Sequence, residues 1–251
     1  MKYYDLTTPQ QNIWNLQTYY SDTAIANLCG ATFYNEKRNS MFMQQAIKQF
    51  IINQSGIRLR FYEGEVPKQY VADTINEDIP VMFFSSMVEF NSYAEKFARE
   101  PLELTGQFLY RFVVFYVENR SGILVLLSHL ISDAWTFGLM AKQLDEAYHK
   151  LAGNIENAEN ISLLKADYVD YIHSETDYMT SERYIKDRKY WEEKYNVCPQ
   201  ESLMKLRSAS LTSIEARRTT RTLPLFLEQK INTFCKANSV TPAVLFETAL
   251  I

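Results

Sequence analysis

Ser128-His129-Leu130-Ile131-Ser132-Asp133-Ala134 lies between two stretches whose apolar residues repeat with different periods. Before it, Phe108 to Val117 and Gly122 to Leu127 are apolar runs joined by the polar cluster Glu118-Asn119-Arg120-Ser121, which predicts a β-hairpin. After it, Phe137, Met140, Leu144, Ala147 and Leu151 recur at spacings of three and four, and Gly153 follows, which predicts a helix with a glycine stop. His129 is therefore expected where a strand hands over to a helix. Two readings of Asp133 stay open at this point. It is either an N-cap accepting from the backbone N–H of Trp135 or Thr136, or a carboxylate that serves a site with the imidazole. His129 likewise reads as a hydrogen-bonded core histidine or as a general base open to substrate.

Outward from this segment the chain keeps alternating. Thr8-Pro9 followed by Ile13, Leu16 and Tyr20 predicts a helix with Thr8 as N-cap and proline at the first helical position. Residues 25–35 and 57–62 predict strands, the second setting Ile57, Leu59 and Phe61 against Arg58 and Arg60. Between them Ser40 to Asn53, with Phe42, Ala46 and Phe50, predicts a helix lying on a sheet by one face. Residues 154–164 read as a polar linker, Lys165–His173 and Tyr178–Tyr195 as tyrosine-rich helices, and 196–215 as looser chain. A strand near Arg217–Leu223, a helix over Leu225–Asn238, and a helix opening at Thr241-Pro242 with no stop before Ile251 complete the reading.

Composition removes several classes of function. The chain has 251 residues, 47% apolar and 14% aromatic, enough for a large core in one domain or two lobes. Its 26 basic and 30 acidic residues are scattered, with a formal net charge of −4, so nucleic acid is not an expected partner. Apolar stretches are too short to span a bilayer and Met1 opens a polar, aromatic segment, so no membrane partner is expected and the expected compartment is the cytoplasm. Cys29, Cys198 and Cys235 are odd in number and far apart, which suits reduced thiols rather than disulfides or zinc ligands. His149 and His173 lack partners at metal-binding spacing, so no metal site is expected, and His149 suits a helix C-terminus. None of the seven glycines forms a phosphate-binding G-x-G.

The full text of the 128–134 segment resembles the H-H-x-x-x-D-G signature of condensation domains of nonribosomal peptide synthetases. Five other segments fall in the order of that family. Thr7-Thr8-Pro9-Gln10-Gln11-Asn12-Ile13-Trp14-Asn15-Leu16 is similar to the opening S-x-A-Q-x-R-(L/M)-(W/Y)-x-L, and Asn27-Leu28 lies where N-L or N-I follows it. Ile57-Arg58-Leu59-Arg60-Phe61 resembles the L-R-T-R-F strand. Tyr168-Val169-Asp170-Tyr171 resembles the Y-x-D-(Y/F) element, and Asp187-Arg188-Lys189-Tyr190-Trp191 the tryptophan-bearing helix after it.

The resemblance implies an α/β fold like chloramphenicol acetyltransferase, of the α+β two-layer sandwich kind, a mixed sheet with helices packed on it. It implies an N-terminal lobe over 1–175 and an interlobe segment with an incomplete start of the C-terminal lobe over 176–251. It further implies amide formation between a donor and an acceptor peptidyl carrier protein, each bringing its own phosphopantetheine arm, with no cofactor bound by the domain itself. His129 takes the place of the functional histidine. Asp133 is expected to pair with Arg60, or failing that Arg58, and Ser128, Ala134 and Trp135 to border the substrate channel. Family members are about twice as long, so the expectation is an incomplete domain, inactive alone, that lacks its C-terminal lobe and the downstream adenylation and carrier domains. With Met1 so near the opening motif, the donor is expected in trans or as a fatty-acyl starter. Ser128 and Ala134 replace the signature's first histidine and final glycine. The substitution at 134 weakens the expected activity if the backbone there must adopt a positive φ or approach substrate closely. Two alternatives share the features: a non-catalytic docking module, with Arg183, Lys186, Arg188 and Lys189 facing an acidic carrier, and a stand-alone coenzyme A-dependent acyltransferase of the same fold. The second places its histidine motif near the C-terminus, which this chain does not.

Overall fold

The computed structural model describes residues 2–76, 78–153, 167–197 and 220–250. The expected linker at 154–164, Cys198, most of 196–215 and residues 217–219 lie outside them, and residues 220–223 form no strand. The chain divides into two compact units, Met1–Ser202 and Leu203–Ile251.

In the first unit, β1 (Tyr4–Asp5) leads into α1 (Thr8–Tyr19), followed by β2 (Asn27–Tyr34), α2 (Ser40–Asn53), β3 (Leu59–Tyr62) and β4 (Lys68–Val71). Then come β5 (Val81–Phe84), α3 (Met87–Ala98), β6 (Tyr110–Val117), β7 (Arg120–Ser128), α4 (Ala134–Ala152), α5 (Tyr168–Met179) and α6 (Glu182–Lys194). The larger sheet is mixed, in the order β2-β7-β6-β5 with β5 and β6 parallel, and a smaller antiparallel sheet has the order β1-β4-β3. Strand β7 is the hydrophobic spine, buried from Ser121 to Ser128 because it has a strand on each side and helices over it. The β6–β7 turn is two residues long, with Glu118 at φ 54°, a backbone that lets a short hairpin follow the strand twist.

Helices α2 and α4 pack on each other, and α4 reaches the sheet where Gly30 leaves room for the Phe137 ring. Residues 30 and 33 point to opposite faces of β2. Phe33, Phe90 of α3 and Phe115 meet on the face away from Phe137, so α3, which the sequence reading lacks, covers that side. Helix α1 begins one residue earlier than expected: Thr7 is the N-cap, and the side chain of Gln10 reaches back to the Thr7 N–H (3.0 Å) in a capping box. The expected division at 175 and 176 falls inside α5. That helix belongs to the first unit because Asp167 and Tyr168 bond to Ser55 and the Tyr168 hydroxyl reaches Thr7.

The second unit holds α7 (Leu225–Ala237) and α8 (Pro242–Leu250), which opens with Thr241 accepting from the Val244 N–H. Among the described residues no helix is long and apolar enough to cross a membrane, and Cys29 and Cys235 are free thiols.

Candidate active site

His129 is the first residue beyond β7. Ser128 still pairs with Asn27 and donates its N–H to Leu109 (2.9 Å), and the His129 N–H donates to Ala26 (2.7 Å). Both neighbouring strands thus hold the backbone where the imidazole emerges. The ring is fixed by its own loop, with Nδ1 2.8 Å from the carbonyl oxygen of Ser132. A carbonyl only accepts, so this bond places the ring proton on Nδ1 and leaves Nε2 of the neutral ring as the acceptor.

The remaining loop groups are also engaged. The Ser128 carbonyl accepts from the Ile131 N–H (3.1 Å) and the Ser132 hydroxyl (2.9 Å), and the Leu130 N–H donates to the Ser128 hydroxyl (3.2 Å). The Leu130 carbonyl accepts from Nε2 of Gln10 (3.0 Å). Gln10 is buried and faces the buried Gln69 in a reciprocal amide pair, at 2.9 and 2.7 Å. Sequence reading flagged Gln10 only as a motif letter and missed Gln69, whose strand β4 is four residues long. Lys68, Gln69, Tyr70 and Val71 do not alternate polar with apolar, so no signal in the sequence pointed to it.

Asp133 turns out to be a cap. It is exposed, and its carboxylate accepts from the Thr136 N–H (2.8 Å) and the Thr136 hydroxyl (2.7 Å) at the start of α4. Those bonds hold its carboxyl below the usual carboxylate range. The expected Asp133–Arg60 pair does not form, because the local cap takes the carboxylate. Arg60 is instead buried on the smaller sheet. Its Nη1 donates to the Leu59 carbonyl (2.8 Å), its guanidinium lies 4.1 Å from the Phe108 ring centroid, and burial pushes its pKa down. Arg58 does not reach Asp133 either, since its Nη1 donates to the Ala72 carbonyl (2.7 Å).

Beside the imidazole lies a recess of about 480 Å³ bounded by Pro9, Ile13, His129, Asp133, Thr136 and Tyr171. A second, largely apolar one of about 290 Å³ shares Ile131, Thr136, Tyr168 and Tyr171 with it and runs under α4 to Phe50 and Met140. Ser128, Ala134 and Trp135, expected along the channel, border neither. Ser128 is buried and tied into the loop, while Ala134 and Trp135 are exposed on the first turn of α4. Ala134 has no positive φ: among the described non-glycine residues only Asp22, Glu118 and Ser239 do. The missing glycine therefore carries no backbone penalty.

The basic residues of α6 are largely neutralised on their own helix. Arg183 faces Asp187 (3.6 Å), Arg188 faces Glu192 (2.7 Å) and Lys189 faces Glu193 (3.7 Å). His149 sits in the last turn of α4, 3.6 Å from Asp145. No group of three or more His, Cys, Asp or Glu side chains among the described residues is placed to hold a metal.

The chain is similar to known proteins over nearly its whole length. The chain is 29% identical over 257 residues to surfactin synthase subunit 1 of Bacillus subtilis, covering 99% of the chain and 7% of that protein. It is 24% identical to a plipastatin synthase component of the same organism, covering 97% of the chain and 10% of the relative. The chain thus spans a tenth or less of either relative's length. Among solved structures, the condensation domain of the Monacolin K polyketide synthase superposes with a TM-score of 0.75 at 14% identity, over 96% of this chain and 57% of that one. The starter condensation domain of rhizomide synthetase, solved in complex with C8-CoA, superposes with a TM-score of 0.72 at 18% identity, over 83% of this chain and 49% of that one. The family model for the condensation domain matches residues 1–251, and with the ordered motifs and the loop around His129 it shows that the chain belongs to the condensation-domain family.

Proposed function

We propose that the chain supplies the histidine-bearing wall of an amide-forming acyltransferase. The acceptor amine on one carrier protein attacks the thioester carbonyl of an acyl or peptidyl group on another. The new C–N bond forms, the amine proton passes to Nε2 of His129, and the C–S bond breaks to give the donor's phosphopantetheine thiol, which takes up a proton. The observation that carries the reading is the bond from Nδ1 to the Ser132 carbonyl, because it fixes the tautomer in which Nε2 is free to accept. Both substrates arrive tethered, so orientation supplies much of the rate. The apolar recess under α4 suits the tail of a donor acyl group, and a structural neighbour was solved with C8-CoA.

This chain spans about half of that neighbour, and on this reading it does not turn over alone. In a complete condensation domain carrying this sequence, His129→Ala lowers amide formation from loaded carriers about 10² to 10⁴-fold, with carrier binding retained. Undiminished product from that variant sinks the proposal. A complete wild-type domain that binds loaded carriers and makes no amide supports a docking role instead, and amide formation by the 251 residues alone refutes the incomplete-site claim.

A further inference from the structure

We infer that Gln10, locked by Gln69, is a positioning residue for His129, acting through the Leu130 carbonyl. The inference rests on the reading of His129 as the acceptor in the reaction. Each amide is fixed in orientation by its partners. Nε2 of Gln10 faces a backbone carbonyl, which only accepts, and its second hydrogen goes to Oε1 of Gln69 (2.9 Å). Oε1 of Gln10 accepts from the Thr7 N–H (3.0 Å), the Thr7 hydroxyl (3.1 Å) and Nε2 of Gln69 (2.7 Å). Gln69 gives its other hydrogen to the Asp5 carbonyl (2.8 Å). The pair is 3% and 0% exposed, so water offers no substitute partner.

The place where this pair touches the loop gives it its role. Leu130 stands between His129 and Ser132, the residue whose carbonyl sets the tautomer. The other loop bonds run within 128–132 or along the sheet edge at Ala26 and Leu109. Among the described residues, Gln10 is thus the side chain that holds the outer part of the loop from a different element. Without that donor, residues 130–132 lose their outer anchor, the Ser132 carbonyl drifts from Nδ1, and Nε2 no longer stays unprotonated in most neutral molecules. The Thr7 hydroxyl spends its hydrogen on Gln10, so the Tyr168 hydroxyl is the donor in their 3.4 Å contact, and α5 is tied to the same relay.

Gln10→Glu is the surgical test. A glutamate keeps the capping box with Thr7 but puts an acceptor where Leu130 and Gln69 need a donor. The readout is the side-chain ¹⁵N spectrum of the chain, which has three histidines, together with amide exchange of Ile131 at pH above 7. The expected result is a mixed His129 tautomer in place of a dominant Nδ1–H form and roughly tenfold faster Ile131 exchange. Asn15→Ala, an exposed change on the same helix, is expected to move neither. If Gln10→Glu does not fold, Gln69→Met decides, since it unlocks Gln10 without removing its donor and is expected to shift both readouts in the same direction. A folded variant with the wild-type tautomer and exchange, changed only in melting temperature, makes Gln10 a purely structural residue and overturns the inference. No substrate enters the measurement, so the inference can fail while amide formation stands, and the reverse.

Discussion

Asp133→Ala removes the acceptor for the Thr136 N–H and the Thr136 hydroxyl at the first turn of α4. Losing an N-cap of this kind costs about 1 kcal/mol, which lowers the melting temperature by about 2–4 °C in a chain of this size. Asparagine caps as well as aspartate, so Asp133→Asn is expected to stay within a few tenths of a kcal/mol of wild type. The carboxyl is held below its ordinary value, so the ionised cap contributes fully above about pH 3.9 and fades as pH falls through the lower native pKa. The gap between wild type and Asp133→Ala therefore narrows on acidification. A carboxylate paired with the buried Arg60 would behave differently, because either substitution would strand a desolvated guanidinium at about 3–5 kcal/mol. Urea unfolding followed by circular dichroism at pH 7 and pH 3 separates the two, with a double-mutant cycle against Arg60→Met. A loss above about 3 kcal/mol with asparagine no better than alanine, or a coupling energy above about 0.5 kcal/mol, refutes the cap.

Two further substitutions probe the frame around the site. A Cβ at position 122 would sit 2.7 Å from Cε1 of Phe115 and closer still to the Thr32 carbonyl oxygen, so Gly122→Ala is expected to cost about 2–3 kcal/mol, read as a fall in melting temperature of about 4–12 °C; an unchanged midpoint contradicts the packing. Arg38 lies 3.6 Å from the Tyr34 ring centroid and 4.6 Å from that of Tyr148, and bonds Asp145 at 2.6 Å. Arg38→Met is expected to cost about 2 kcal/mol and Arg38→Lys to recover less than half of it in chemical denaturation, since an ammonium cannot stack between two rings; full recovery by lysine tells against the stack.

The sequence made the frame of the site readable where its period was strong. The change from the apolar runs of β6 and β7 to the three-and-four spacing of α4 places His129 at a strand-to-helix junction, and the structure has it there. Short elements escaped: β1, β4 and β5 have two to four residues, too few to show a period. Helix α3 could have been read, since Ser86-Met87-Val88-Glu89 has the spacing of a capping box and Ser86 does cap the helix through the Glu89 N–H (3.3 Å). Around the site, Asp133 as a cap was one of two readings that the residues left open. The pairing with Arg60 came from the resemblance alone, and a bond three residues away displaced it. Gln69 was out of reach, because a buried amide 59 residues from its partner leaves no local pattern.

Strand β7 also sets how this scaffold can change. Its register is fixed on one side by Asn27 against Ser128 and on the other by Tyr110 against Leu127. The strand therefore works as a ruler, with His129 as its end mark. Inserting one residue between Arg120 and Ser128 would turn every later side chain to the opposite face and break two ladders at once. A change of shape in the recess beside His129 has to come from its walls, along α1, α4 and α5, where side chains can change size while the ruler keeps its length.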